Sequence, residues 1–311
     1  MENLFTDPFN ILLIAAFIGF FMAFGIGAND VANSMGTSVG ARALTIKQAI
    51  LIAAVFEFLG AFLAGGEVTS TIRKGIVDPN LYTDQVNIFV IGMMSALLAG
   101  GTWLYIASLR GWPVSTTHSI VGAIIGFVLI TKGVDAVSWG KVSNIAMSWV
   151  TSPLFSGILA FSLYISAKKL ILDRANPGKA AITFIPFYSF LVAVVISLVT
   201  ARKGLKHVGI EWTENEVYLF TFIFSIIVAI GTSYFLRRNK EKINGVGGIE
   251  FAFGLLMIVS ASAMAFAHGS NDVANAIGPL AAIVSVVDTG TVGSKATISP
   301  WVLFIGGIGI V

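Results

Sequence analysis

The chain of 311 residues is 56% hydrophobic and only 11% charged, with a net charge of +3 and no cysteine. Because a soluble domain carries about 25% charged residues, this composition excludes a water-soluble globule, and the lack of cysteine excludes disulfides and thiolate metal sites. The small excess of Lys and Arg is typical of the cytoplasmic loops of membrane proteins. We therefore expect a lipid bilayer, and no nucleic acid, as a partner.

Nine apolar segments follow one another along the chain, near the length of about 20 residues that a helix needs to cross a bilayer. This pattern predicts an all-α fold, a polytopic transmembrane helical bundle. The predicted segments are Phe9–Asn33, Thr45–Gly65, Asn87–Leu109, Val114–Ile130, Val142–Ala167, Ile182–Thr200, Val217–Leu236, Gly248–Ala267 and Ile298–Val311.

The ends and loops predict an orientation. The N-terminal stretch MENLFTDPF is acidic and lacks a basic region, so it does not resemble a cleaved signal peptide. If it lies outside, most of the basic residues fall in inner loops, including the clusters Lys168–Lys179 and Arg237–Lys242. The positive-inside rule then predicts a multi-pass protein of the plasma membrane with its N-terminus outside.

The first segment ends in the motif GANDVAN, Gly27–Asn33. On a helix, Asn29 and Asn33 share a face with Asp30 beside them. An aspartate within the membrane costs about 2.5 to 3.5 kcal/mol, and such residues usually mark an ion or substrate path. The glycines around the motif favour a broken helix, whose carbonyl oxygens could join the carboxylate and amides in binding Na⁺. The alternative is that these polar residues hold helices together or cap a helix end.

Glu57 lies in the middle of the second segment. A buried carboxylate in a membrane is rarely idle. It could serve a cation site or a proton path, or it could pair with a neighbouring polar group.

The third and fourth segments are joined by GWPVSTTHS, residues 111–119. Three hydroxyls, on Ser115, Thr116 and Thr117, precede an apolar helix. A helix N-terminus with free N–H groups binds anions, and neutral hydroxyls can release an oxyanion again. Two structures remain open: an ordinary N-cap at the membrane surface, or the buried tip of a re-entrant hairpin.

A second copy of the motif, GSNDVAN at Gly269–Asn275, ends the eighth segment. Residues Met22–Gly36 and Met264–Gly278 match at ten of fifteen positions without a gap. With the N-terminus outside, the two copies would run through the membrane in opposite directions, as in the inverted repeats of secondary transporters. Of the histidines beside these motifs, His118 and His268, we expect packed, hydrogen-bonded roles rather than proton transfer.

Together, the duplicated G-x-N-D-x-x-N motif and the P-V-S-T-T-H element (113–118) resemble the inorganic phosphate transporter family, the sodium- or proton-coupled phosphate symporters. The resemblance implies inverted halves with a phosphate site between them and cation sites around the two aspartates. The phosphate site would comprise Asn29, Asp30, Ser115, Thr116, Thr117, Asn271 and Asp272. The Na⁺ ligands would be Asp30, Asn33, Asp272 and Asn275, with Glu57 as a further cation or proton site. No cofactor is expected besides Na⁺ as the coupling ion.

The repeat also predicts three regions: a first inverted repeat at 1–172, connecting helices at 173–247 and the start of a second repeat at 248–311. The family carries a second P-x-S-T-T-H element, whose counterpart here would fall beyond Val311. We therefore expect this chain to be part of a longer one, or its site to be completed by another polypeptide. A homo-oligomer is left open.

The sequence thus predicts a secondary active transporter, not an enzyme, that imports inorganic phosphate with Na⁺ or H⁺. Carboxylate and amide oxygens without a proton relay favour Na⁺. A carrier of sulfate or molybdate is a rival, since hydroxyls bind tetrahedral oxyanions alike. An anion channel, or an enzyme built on Ser115, His118 and Asp30, would not need an inverted second copy of the motif.

Overall fold

A computed structural model describes the backbone of residues 7–75, 78–204, 212–244, 247–292 and 298–311, and their side chains except at 67–75 and 203–204. Within these ranges the chain is helical and has no strand. The helices are α1 (Pro8–Gly40), α2 (Ile46–Gly75), α3 (Val86–Leu109), α4 (Thr116–Lys132), α5 (Trp139–Ala167), α6 (Pro177–Val199), α7 (Glu214–Arg238), α8 (Lys240–Asn244), α9 (Gly248–Thr289) and α10 (Pro300–Ile310). Short 3₁₀ turns lie at Pro79–Tyr82 and Val134–Ala136, and π turns at Lys168–Leu172 and Thr200–Gly204.

Seven of these helices, α1, α2, α3, α5, α6, α7 and α9, are long and apolar enough to cross a membrane. Helices α4 and α10 are apolar but shorter, with 17 and 11 residues. At about 1.5 Å per residue, α4 is shorter than the hydrocarbon core of about 30 Å. The predicted all-α, polytopic fold is confirmed, whereas the outside position of the N-terminus stays a prediction.

Both signature motifs lie inside continuous helices. Helix α1 runs through the first motif to Gly40, and α9 runs through the second to Thr289. The expected end of the first and eighth segments at the motifs, and the expected helix break there, are therefore wrong. A continuous helix keeps its backbone groups paired where no water can replace the lost bonds. Any ligand contact at these motifs must come from side chains.

The chain forms two compact units. The first comprises Met1–Ser34, Ile52–Ser143 and Ala265–Val311, and the second comprises Met35–Leu51 and Asn144–Met264. Both motifs and the α3–α4 hairpin belong to the first unit. The division into repeats at 1–172, 173–247 and 248–311 stays a prediction.

The open end of the α3–α4 hairpin is fixed by aromatic packing. Tyr82 is fully buried, stacks on Phe127 with ring centroids 5.2 Å apart, and shares a 2.6 Å hydrogen bond with Thr131. Lys132 donates to Gln85 at 2.8 Å. These contacts join the two helices at the open end of the hairpin. They therefore help to position the turn between α3 and α4 at its other end.

Glycines at the start of each motif let helices of the first unit cross closely. A Cβ atom on Gly27 would lie 2.0 Å from the carbonyl oxygen of Ile310 in α10. A Cβ atom on Gly269 would lie 2.2 Å from the carbonyl oxygen of Glu57 in α2. Small residues allow such close approach in membranes. Equivalent positions of the two motifs thus contact helices from opposite predicted repeats.

The second unit has its own core, built on α6 and α7. Its buried residues include Ile171, Ile185, Leu236 and Ile243. None of the residues of α5 is buried. An apolar helix exposed in this way is compatible with lipid, which solvates its side chains as a protein core would.

Candidate functional site

The tip of the α3–α4 hairpin is a tight turn that ends in a helix cap. Gly111 has a φ of +66°, a left-handed conformation that glycine adopts without strain. Ser115 then caps α4, since its Oγ accepts the backbone N–H of His118 at 3.3 Å. The structure shows that Ser115 is an N-cap at the turn between α3 and α4, whereas the choice between the membrane surface and a re-entrant position stays a prediction.

Asn29 of the first motif holds this turn. Its Nδ2 donates to the carbonyl oxygen of Trp112 at 3.0 Å and to Ser108 Oγ at 3.3 Å. Its Oδ1 accepts the backbone N–H of Val114 at 3.2 Å. Both ends of one amide therefore connect α1 to the residues that precede the Ser-Thr-Thr sequence.

The second motif approaches the same tip from α9. Thr116 Oγ1 donates to Asp272 Oδ1 at 3.3 Å. Nδ2 of Asn275 lies 3.3 Å from each of three acceptors, Oγ1 of Thr116, Oγ1 of Thr117 and Oδ1 of Asp272. The start of α4 is thus placed between the two copies of the motif.

Three carboxylates surround the imidazole of His268. Nε2 of His268 lies 3.8 Å from Asp30 Oδ2 and 3.5 Å from Asp272 Oδ2, and Nδ1 lies 3.2 Å from Glu57 Oε1. Asp30 is also contacted by Asn33 Nδ2 at 3.3 Å. The His268 contacts have ion-pair distances, yet neither ring nitrogen makes a hydrogen bond of good geometry.

Glu57 is the most buried of the three acids, with 1% of its surface exposed. Its Oε1 accepts from Ser34 Oγ at 3.4 Å, whereas its Oε2 is buried without a hydrogen-bond partner. Negative charge in a low dielectric is costly unless it is paired. Three carboxylates against one imidazole leave a negative excess that a bound cation would compensate.

The structure thus brings most of the predicted site residues together. Asp30, Glu57 and Asp272 lie around one imidazole, and Asn275 contacts two threonines of the hairpin. Ser115 and Asn271 are exposed, and Asn33 is exposed with its amide on Asp30. Their assignment to phosphate or Na⁺ stays a prediction.

Two residues outside the predicted site contribute to it. His268, for which we expected a packed, hydrogen-bonded role, is buried and faces three acids. Its position four residues before Asp272 places both on one helix face, which was the available signal. Ser108 belongs to none of the sequence motifs, and only the fold shows that it contacts Asn29.

Known proteins resemble this chain along nearly its whole length. The model of the phosphate transporter family matches residues 26–311. A protein of Haemophilus influenzae named "Putative phosphate permease" is 48% identical over 96% of this chain and 72% of its own length. "Inorganic phosphate transporter 2-1, chloroplastic" of Arabidopsis thaliana is 40% identical over 94% of this chain and 54% of its own. A solved structure described as "The sodium-dependent phosphate transporter" superposes with a TM-score of 0.88 at 41% identity, over 96% of this chain and 74% of that one.

Proposed function

The chain belongs to the phosphate transporter family, and we propose that it is a secondary active transporter that imports inorganic phosphate by symport with Na⁺. One observation supports this most: two copies of an Asn-Asp motif, on α1 and α9, contact the tip of the same hairpin. A channel or an enzyme gives no reason for such a duplicated arrangement.

Phosphate would bind at the N-terminus of α4. The hydroxyls of Ser115, Thr116 and Thr117 lie there at the first turn of a helix, and a helix N-terminus favours an anion. Asn29 and Asn271 complete the proposed phosphate site. Asn29 fixes the turn before α4, and Asn271 offers an exposed amide. The hydroxyls carry no charge, so they can bind an oxyanion reversibly.

Na⁺ would bind between Asp30 and Asp272, with amide oxygens from Asn33 and Asn275. Glu57 is a further cation or proton site. Carboxylate and amide oxygens are the ligands that hard cations prefer. Two bare aspartates near the hairpin tip would repel phosphate, and bound Na⁺ removes that repulsion. Each ligand therefore strengthens the binding of the other, and by linkage the effect is reciprocal.

The proposed transport cycle is alternating access about this site, in a plasma membrane and with the N-terminus outside. Inverted repeats would exchange their conformations around a site near the midplane. The name of the structural relative, a sodium-dependent transporter, favours Na⁺ over H⁺ for this chain as well.

The test is uptake of radiolabelled phosphate into proteoliposomes that contain the purified protein. An inward Na⁺ gradient should drive uptake and a pH gradient alone should not. Uptake driven only by the pH gradient would contradict Na⁺ coupling and make the carboxylates proton carriers. Excess sulfate should not compete; if it does, the substrate is a broader class of tetrahedral oxyanions.

A further inference from the structure

The two aspartates of the site present their oxygens unequally. Asp30 and Asp272 each use Oδ1 for hydrogen bonds from neighbouring side chains. Each directs Oδ2 towards the same atom, Nε2 of His268, at 3.8 and 3.5 Å. One potential ligand atom from each of the three residues lies within 4.8 Å of the others.

These separations are close to those of a metal centre. Transition metal ions hold nitrogen and oxygen ligands at about 2.0 to 2.2 Å, which places neighbouring ligands about 3.0 to 3.5 Å apart in tetrahedral or octahedral sites. The 3.5 Å separation of Asp272 Oδ2 from Nε2 of His268 lies within this range, and Asp30 Oδ2, at 3.8 Å from the same nitrogen, would have to move inward to share an ion.

Glu57 completes the arrangement from the other side of the ring. Its Oε1 lies 3.2 Å from Nδ1 of His268. In metal sites, a carboxylate on the distal nitrogen fixes the tautomer and orients the ring. A proton on Nδ1 leaves the lone pair of Nε2 directed at the two aspartates.

Nε2 of this imidazole is also buried without a hydrogen bond. The side chain of His268 is 9% exposed, and Nε2 faces Asp30 and Asp272 only at ion-pair distances. A buried polar atom left in this state costs about 1 to 3 kcal/mol. A metal ion on Nε2 would supply the missing interaction.

We propose that Oδ2 of Asp30, Oδ2 of Asp272 and Nε2 of His268 bind a divalent transition metal ion, with Glu57 as the residue that orients the imidazole. An imidazole with two carboxylates favours Mn²⁺, Co²⁺ or Zn²⁺ over Mg²⁺ and Ca²⁺, which prefer oxygen ligands alone. The bound metal also excludes Na⁺, because both would use the same carboxylates. This second step, unlike the first, rests on the proposed function.

The first experiment measures Mn²⁺ binding to the purified, detergent-solubilised protein without phosphate. Electron paramagnetic resonance reports free Mn²⁺, and its pulsed form detects a ¹⁴N nucleus coordinated to the metal. We expect binding with ¹⁴N coupling and no displacement by a tenfold excess of Mg²⁺. Absence of ¹⁴N coupling, or equal competition by Mg²⁺, would overturn the proposal.

Variants then identify the ligands. His268→Gln should abolish the ¹⁴N coupling, whereas His118→Gln, a matched change outside the cluster, should retain it. Glu57→Gln should keep the coupling but weaken Mn²⁺ binding about 10- to 100-fold, as expected for loss of an orienting carboxylate. A His268→Gln variant that is folded and keeps the coupling would disprove the role of this histidine.

Competition separates the metal site from the proposed Na⁺ site. Rising Na⁺ should weaken Mn²⁺ binding, and Mn²⁺ should inhibit Na⁺-driven uptake competitively with Na⁺. Mn²⁺ binding that is unaffected by Na⁺ would support the metal site but contradict the shared carboxylates, and therefore the proposed location of Na⁺. Na⁺-driven uptake in a protein that binds no Mn²⁺ would overturn the metal site alone.

Discussion

The two copies of the N-D-V-A-N motif have the same letters but different neighbours. In the first copy Asn29 holds the hairpin turn, while Asn33 is exposed and contacts Asp30. In the second copy the roles are exchanged: Asn271 is exposed and makes no side-chain hydrogen bond to the described residues, while Asn275 is 2% exposed and contacts two threonines.

The difference follows from the single hairpin between them. The α3–α4 tip presents its turn to α1 and the start of its second helix to α9. Each copy therefore uses a different asparagine to reach it. The aspartates, Asp30 and Asp272, share one partner, since both face His268. The structure thus gives the two aspartates a common partner and gives the equivalent asparagines different partners.

The largest effect on phosphate uptake should come from replacing the aspartate of either motif. Asp30→Asn and Asp272→Asn should each lower Na⁺-driven phosphate uptake at least about 100-fold, because losing about 3 kcal/mol of cation binding has that effect. Uptake into proteoliposomes measures this. Asp288→Asn, an exposed acid on the same helix as Asp272, should retain activity. Normal uptake in both of the first two variants would refute the cation site.

The next effect concerns the glycines at which each motif crosses another helix. Gly27→Ala and Gly269→Ala should each lower the free energy of unfolding by about 1 to 3 kcal/mol, because the added Cβ meets backbone atoms that cannot easily move. Gly36→Ala, where no atom lies within 4 Å of the new Cβ, should be neutral or stabilising by up to about 1 kcal/mol. Thermal unfolding in detergent compares the three. Equal stability of all variants would show that the crossings are looser than described.

A third comparison concerns the first asparagine of each motif, Asn29 and Asn271, and predicts different losses of stability when each is replaced. Asn29→Ala should lower the free energy of unfolding by about 1 to 2 kcal/mol and raise the KM for phosphate about tenfold, because the Val114 N–H and the Trp112 carbonyl lose their partner. Asn271→Ala should change stability by less than about 0.5 kcal/mol. Unfolding midpoints and uptake kinetics provide the measurements. If the two variants lose the same stability, the motifs are more symmetric than the structure indicates.

The smallest effect concerns the second asparagine of each motif, Asn33 and Asn275, and is a difference in their energetic coupling to Thr116. A double-mutant cycle of Asn275→Ala with Thr116→Val should give a coupling of about 0.5 to 1 kcal/mol, since the two side chains are in contact. The same cycle with Asn33→Ala should give a coupling near zero. Equilibrium unfolding of the single and double variants supplies these values. A larger coupling for Asn33 than for Asn275 would contradict the conclusion that Asn275 is the one that contacts Thr116.

The sequence by itself determined the class of protein and the identity of the polar residues. Long apolar runs can only be satisfied as helices in a bilayer, so the all-α membrane fold followed directly. Because charged and amide groups in such runs are costly, their presence marked Asp30, Glu57 and Asp272 as candidate functional residues. The duplicated motif indicated two related sites.

Tertiary structure alone decided how these residues are connected. The glycines around the first motif favoured a broken helix, but α1 continues through that motif and α9 through the second, since hydrogen bonding favours an unbroken helix where nothing else pairs the backbone. The contact of Asn29 with Trp112 and of Glu57 with His268 joins residues distant in sequence. No local pattern encodes such contacts, because they depend on where helices cross and on which face each one presents.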